Sequence, residues 1–128
     1  MFNVLLGLHE GAHGTLTVSR EPNTGQGPFV LGQLVKTVGG KLSVAAAAGD
    51  ASEAEFVFES LAGQSSQKYT CVFGFLEAET DVYNGTPNVD ELLTCGTGGK
   101  LTVTATAAEA KWKVVSKSGN VIRFKKLN

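Results

Sequence analysis

"FVLGQLVKTVGGKLSVAAAA" (residues 29–48) and "NVDELLTCGTGGKLTVTATA" (residues 88–107) line up at a constant offset of 59. Val30 matches Val89, Leu34 matches Leu93, and Val44 matches Val103. Gly39-Gly40-Lys41-Leu42 matches Gly98-Gly99-Lys100-Leu101. After a three-residue gap, "EFVFES" (55–60) falls opposite "KWKVVS" (111–116). One supersecondary unit is used twice, over 29–60 and 88–116. "QLVKT" and "ELLTC" are short strands. The Gly-Gly pair supplies positive φ for a tight turn. "KLSVAA" and "KLTVTAT" return with alternating Leu and Val facing inward. Each unit is therefore a β-hairpin, a polar loop and a third strand. Two such units can pack as a small barrel or sandwich, which removes the exposed edges of an isolated three-stranded sheet.

The rest of the chain fits this all-β frame. At 128 residues it is long enough for one domain with a real core, and 42% hydrophobic content argues against disorder. "QKYTCVFGFLEAETDVY" (67–83) reads as one long strand. Tyr69, Cys71, Phe73 and Phe75 lie on one side, and Gly74 marks a bulge or close approach. "WKVVSKSGNVIRFKKL" (112–127) reads as a hairpin turning at "KSGN". "DASEAEF" (50–56) could open a helical turn with Asp50 or Ser52 as cap, but the repeat favours a loop. "REPNTGQGPF" (20–29) is a turn-rich connector that could reach a partner. Residues 1–13 read as an extended, apolar N-terminal arm.

One pattern carries chemistry. His9, Glu10 and His13 have the H-E-x-x-H spacing in which two histidines on one helix face share a zinc ion. Gly7, Gly11 and Gly14 oppose a helix there, and no third histidine exists. No Ser/His or Cys/His set can be built elsewhere. Glu77 and Glu79 share a strand face, which solvation explains better than glycoside hydrolysis. "GTGGK" lacks P-loop spacing and is explained by the repeated turn. The sequence thus points away from an enzyme, a metal site or a cofactor.

Cys71 and Cys95 lack metal-ligand spacing and read as buried thiols, with a disulfide left open. No secretory signal or membrane span is legible, so the simplest compartment is the cytoplasm. Net charge is −1, which hides a split. Residues 50–91 hold nine acids and one base, Lys68; residues 110–128 hold six bases and no acid. Solvated faces explain this, as does complementarity between protomers or with a larger assembly, where charges set register and encounter rate. Phosphate binding by the basic end is disfavoured, because only Trp112 could stack there.

The run "ELLTCGTGGKLTVTATAAEAKWKVVSKSGNVIRFKKL" (91–127) resembles the carboxy-terminal half of decoration, or cement, proteins of tailed-bacteriophage capsids. "LGQLVKTVGGKLSVAAAAGD" (31–50) is similar to the same unit. The resemblance rests on turns and small residues over about 29–48 and 88–128, and it transfers no binding residue. It implies a virion protein on the capsid surface, assembled in the host cytoplasm. Such a protein contacts the major capsid protein as a homo-oligomer, dimer or trimer, and binds neither nucleic acid nor membrane. Candidate interface residues are Phe2, Val4, Leu5, Leu6 and Leu8 in the arm, and Lys111, Lys113, Arg123, Lys125 and Lys126 at the basic end. A tail or other virion subunit, and a carbohydrate- or peptide-binding β-module, are the alternatives.

Overall fold

The computed structural model describes residues 1–6, 15–16, 19–62 and 67–127. The fold is all-β, a sandwich of two antiparallel sheets that does not close into a barrel. The strands are β1 (Phe2–Leu6), β2 (Thr15–Leu16), β3 (Leu34–Val38), β4 (Lys41–Val44), β5 (Glu55–Ala62) and β6 (Gln67–Phe73). They continue as β7 (Glu77–Thr80), β8 (Leu92–Gly96), β9 (Lys100–Val103), β10 (Trp112–Ser118) and β11 (Val121–Lys126). One sheet runs β1-β7-β11-β10-β8-β9 and the other β2-β6-β5-β3-β4.

The two units share a hydrogen-bond pattern that extends beyond the sequence alignment. The Val57 N–H donates to the Gln33 carbonyl, as the Val114 N–H does to Glu91. The Gly32 N–H donates to Val57, as the Asp90 N–H does to Val114. Both donors sit at positive φ, 90° for Gly32 and 75° for Asp90. The ladder of each third strand slips in register in the same place, between Val57 and Glu59 and between Val114 and Ser116. The polar loop after each hairpin is a 3-10 turn, Ala48–Glu53 and Ala107–Glu109, rather than irregular chain.

The connectors are duplicated too. The Asn23 N–H donates to the Leu42 carbonyl at 2.8 Å, and the Asn84 N–H to the Leu101 carbonyl at 2.8 Å. The Asn23 amide Nδ2 donates to the Val38 carbonyl and the Ser43 hydroxyl; the Asn84 Nδ2 donates to the Thr97 carbonyl and the Thr102 hydroxyl. Single bridges, Pro22 to Leu42 and Tyr83 to Leu101, lay each connector along the outer edge of its hairpin. The 20–29 connector is therefore used within its own chain. An open row of backbone groups on β4 would invite edge-to-edge pairing, and the connector covers it.

This matching corrects the constant offset. Leu34 corresponds to Leu92, not Leu93, because the first hairpin turns through two residues and the second through three, Thr97 to Gly99. Phe56 then corresponds to Lys113, and Val72 to Lys125.

The same frame buries different faces. In the five-stranded sheet, Leu34, Phe56 and Val72 face the common core. Its other face holds Val35, Leu42, Val57, Tyr69 and Cys71, capped by Phe29. Leu42 therefore points away from the intersheet core, contrary to the expectation that both returning strands face it. Phe29 stacks edge-on against Tyr69 with centroids 5.0 Å apart, and its N–H donates to the tyrosine hydroxyl at 3.0 Å. In the six-stranded sheet, Leu93, Leu101, Val114, Ile122 and Phe124 face the common core. Phe56 is the centre of that core, in ring contact with Phe2, Phe75, Trp112 and Phe124.

The expected long strand over 67–83 is broken. Gly74 takes φ 68° and the chain crosses there from β6 in one sheet to β7 in the other. Phe75 enters the common core, so it does not share a face with Tyr69 and Cys71; Phe73, the last residue of β6, is exposed. Cys71 and Cys95 are buried and not joined in a disulfide, and burial pushes both thiols up to about 12, which suits packing groups rather than nucleophiles.

Candidate interaction surface

The expected N-terminal arm is extended over Phe2–Leu6, but it pairs with its own chain. β1 forms an antiparallel ladder with β7, Phe2 opposite Thr80 and Val4 opposite Ala78. Phe2 is buried against Phe56 and Val4 packs on the same core. A lone phenylalanine at a chain start gains more by filling a core than by waiting for a neighbour. Phe2 and Val4 are thus anchors to the protein's own sandwich. Leu5 and Leu6 remain exposed, at 41% and 47%. Leu8, with His9, Glu10 and His13 of the zinc pattern, lies outside the described residues.

The basic end is paired in part. Arg123 reaches Glu77 at 3.0 Å, across the β7–β11 ladder, and Lys113 reaches Asp90 at 3.7 Å. Two of the six bases of residues 110–128 are thus paired with acids of residues 50–91 within the chain. Two further pairs, Arg20 with Glu55 and Lys36 with Asp50, hold the first repeat together. The Lys36 ammonium lowers the Asp50 carboxyl below the usual range, and Asp50 raises Lys36 in return.

The remaining candidates converge. The Leu76 N–H donates to the Leu6 carbonyl, and the Lys126 N–H donates to the Leu76 carbonyl. The Leu127 N–H in turn donates to the Lys111 carbonyl. The exposed end of β1 and the last residues of β11 therefore meet at the Gly74 crossover. Phe73 and Leu76, 44% and 41% exposed, belong to the same region and escaped the sequence reading. The alternation of Phe73 with Phe75 suggests one buried face; only the change of sheet at Gly74 separates them.

Beside this apolar patch lies an open groove of about 490 Å³ between the two 3-10 turns, floored by alanines and walled by Lys111, Lys126 and Glu109. Lys111 is half-buried. Its Nζ donates to the Ser52 carbonyl at 3.2 Å and lies 5.6 Å from the Trp112 ring centroid. Burial lowers its pKa, with Lys126 adding to the effect. Phe73 and Lys111 line the adjoining depression. The patch thus offers apolar contact with a cationic rim, a composition suited to holding another protein.

Among the described residues no group of three or more His, Cys, Asp or Glu side chains is placed to hold a metal. No helix of the described residues is long and apolar enough to cross a membrane. No protein-family model, curated protein or solved structure matches the chain.

Proposed function

We propose that this chain is a structural virion protein that binds the outer surface of a phage capsid and stabilises the shell by bridging major capsid subunits, acting as a dimer or trimer. The observation that carries the reading is the set of exposed apolar residues around the Gly74 crossover, Leu6 bonded to Leu76 through the backbone and Phe73 beside Lys111 and Lys126, on a twice-built sandwich. An apolar surface on a rigid frame favours partner binding, because little ordering entropy is lost on docking. The resemblance of residues 91–127 to capsid decoration proteins supports the particular partner. A shell lattice would multiply modest contacts through multivalency.

The test is reconstitution. The purified protein, mixed with mature shells that lack it, should sediment with the shells and not with free capsid subunits. Phe73→Glu with Leu76→Glu should remove at least about 90% of that binding while leaving the melting temperature within a few degrees, since exposed substitutions change stability little. Protein that stays in the supernatant with intact shells would refute the reading.

A further inference from the structure

The two connectors differ in length. Six residues separate Asn23 from Val30 and three separate Asn84 from Asn88, although both ends are fixed identically. At the near end the Asn amides bond Leu42 and Leu101. At the far end the Val30 N–H donates to the Gln33 side chain, as the Asn88 N–H does to Glu91. The extra length of the first connector carries Gln26. Its side-chain carbonyl accepts the Val44 N–H at 2.9 Å, on the outer edge of β4.

The second connector has no such residue. In both hairpins the antiparallel alternation turns one valine N–H outward. The Ala45 N–H bonds Leu34, so Val44 faces away from β3; the Thr104 N–H bonds Leu92, so Val103 faces away from β8. No described group accepts from the Val103 N–H. Where Gln26 would lie there is an open pocket of about 320 Å³, lined by Asn84, Asn88, Glu91, Thr102 and Val103. One strand in, across from Thr102, the buried Thr94 hydroxyl also lacks a partner.

We infer that this pocket is a binding site for a carboxamide, the side chain of a glutamine or asparagine presented by a partner protein. The first repeat displays the interaction on its own Gln26. The occupant supplies an oxygen to the Val103 N–H. Its NH₂ meets a wall carrying the Glu91 carboxylate, which favours a donor and repels an acid. A carboxamide satisfies both demands and a carboxylate satisfies one. The inference stands whether or not the partner is a capsid subunit.

The blocked peptide Thr-Gly-Gln-Gly-Pro-Phe, residues 24–29 of the first connector, is the probe. Titrated into the full-length ¹⁵N-labelled protein, it should shift the Val103 amide saturably while leaving the Val44 amide in place. The same peptide with Gln→Glu should bind at least about tenfold more weakly at pH 7, a difference of about 1.4 kcal/mol. A Val103 amide unmoved at millimolar peptide, or equal response to both peptides, overturns the inference. As a second readout, replacing Asn84–Asn88 with residues 23–30 should bring Val103 amide exchange down to the rate at Val44. Continued fast exchange in that folded variant would also overturn it.

Discussion

The two repeats share one hydrogen-bond frame, yet they are buried differently. The first is covered on both faces, by the second repeat on one side and by its own connector on the other. The second is covered on one face, and its other face carries Lys113, Arg123 and Lys125 to solvent. Phe56 and Lys113 occupy the same place in this frame, and so do Val72 and Lys125. Backbone pairing and turn geometry therefore specify the local unit, while the pattern of apolar side chains decides which face docks.

The sharpest way to break the comparison is to truncate matched residues. Phe56→Ala removes the ring that touches four other aromatics and should cost about 3–5 kcal/mol in denaturant melts. Lys113→Ala, at the matching position, should stay within about 0.5 kcal/mol, because its pair with Asp90 is long and exposed. Similar losses at both sites would mean that the faces are not used differently.

The glycine turns give the next contrast. Gly40 has φ 81° and open space around its Cβ position; Gly99 has φ 69°, but a Cβ there would sit 2.6 Å from the Leu34 carbonyl oxygen. The Leu34 N–H also donates to the Gly99 carbonyl, so the second turn is docked against the first repeat. Gly40→Ala should cost about 1 kcal/mol, from the left-handed conformation alone. Gly99→Ala should cost about 3 kcal/mol, since backbone must move as well.

The connectors should respond alike. Asn23→Ala and Asn84→Ala each remove two side-chain hydrogen bonds of the same design, and each should cost about 1–2 kcal/mol by thermal melting. A difference much larger than about 1 kcal/mol between them would weaken the claim of a duplicated frame.

The smallest effect lies in the 3-10 turns. Asp50 pairs with Lys36, whereas its counterpart Glu109 bonds only the Thr104 hydroxyl among described partners. The Asp50 carboxyl is lowered in the folded chain from an ordinary value of 3.8, chiefly by its hydrogen bond with Lys36. Its stabilising contribution is thus complete above that value and lost as pH falls through the lower folded-state value. Between pH 7 and 3, Asp50→Asn should flatten a small part of the acid loss in melting temperature.

Much of this frame was legible in the residues. The Gly-Gly turns, the alternating strands after them and the final hairpin follow from local chemistry, and so does the all-β class. The connectors were not legible as edge covers, because Asn23 and Asn84 sit among different neighbours and bond carbonyls and hydroxyls more than ten residues further along the chain. Thr97 hid the one-residue difference between the hairpins, since the Gly-Gly-Lys-Leu match absorbs it. The strand over 67–83 hid its break, because a bulge and a sheet crossing both call for glycine at position 74. At the surface, Leu5, Leu6, Lys111 and Lys126 were legible by apolar or basic character alone. Phe73 and Leu76 join them only because the crossover turns them outward, and Phe2 and Val4 leave them because β7 offers a strand to pair with.

Residue-resolved amide hydrogen exchange tests the duplicated frame most directly. The matched amides of Asn23 and Asn84, Gly32 and Asp90, and Val57 and Val114 should be protected pair by pair, with Val44 and Val103 the one pair that separates, Val103 exchanging fast. Strong protection in the first repeat with rapid exchange at Asn84, Asp90 and Val114 would contradict it, showing two unrelated halves that happen to share a turn.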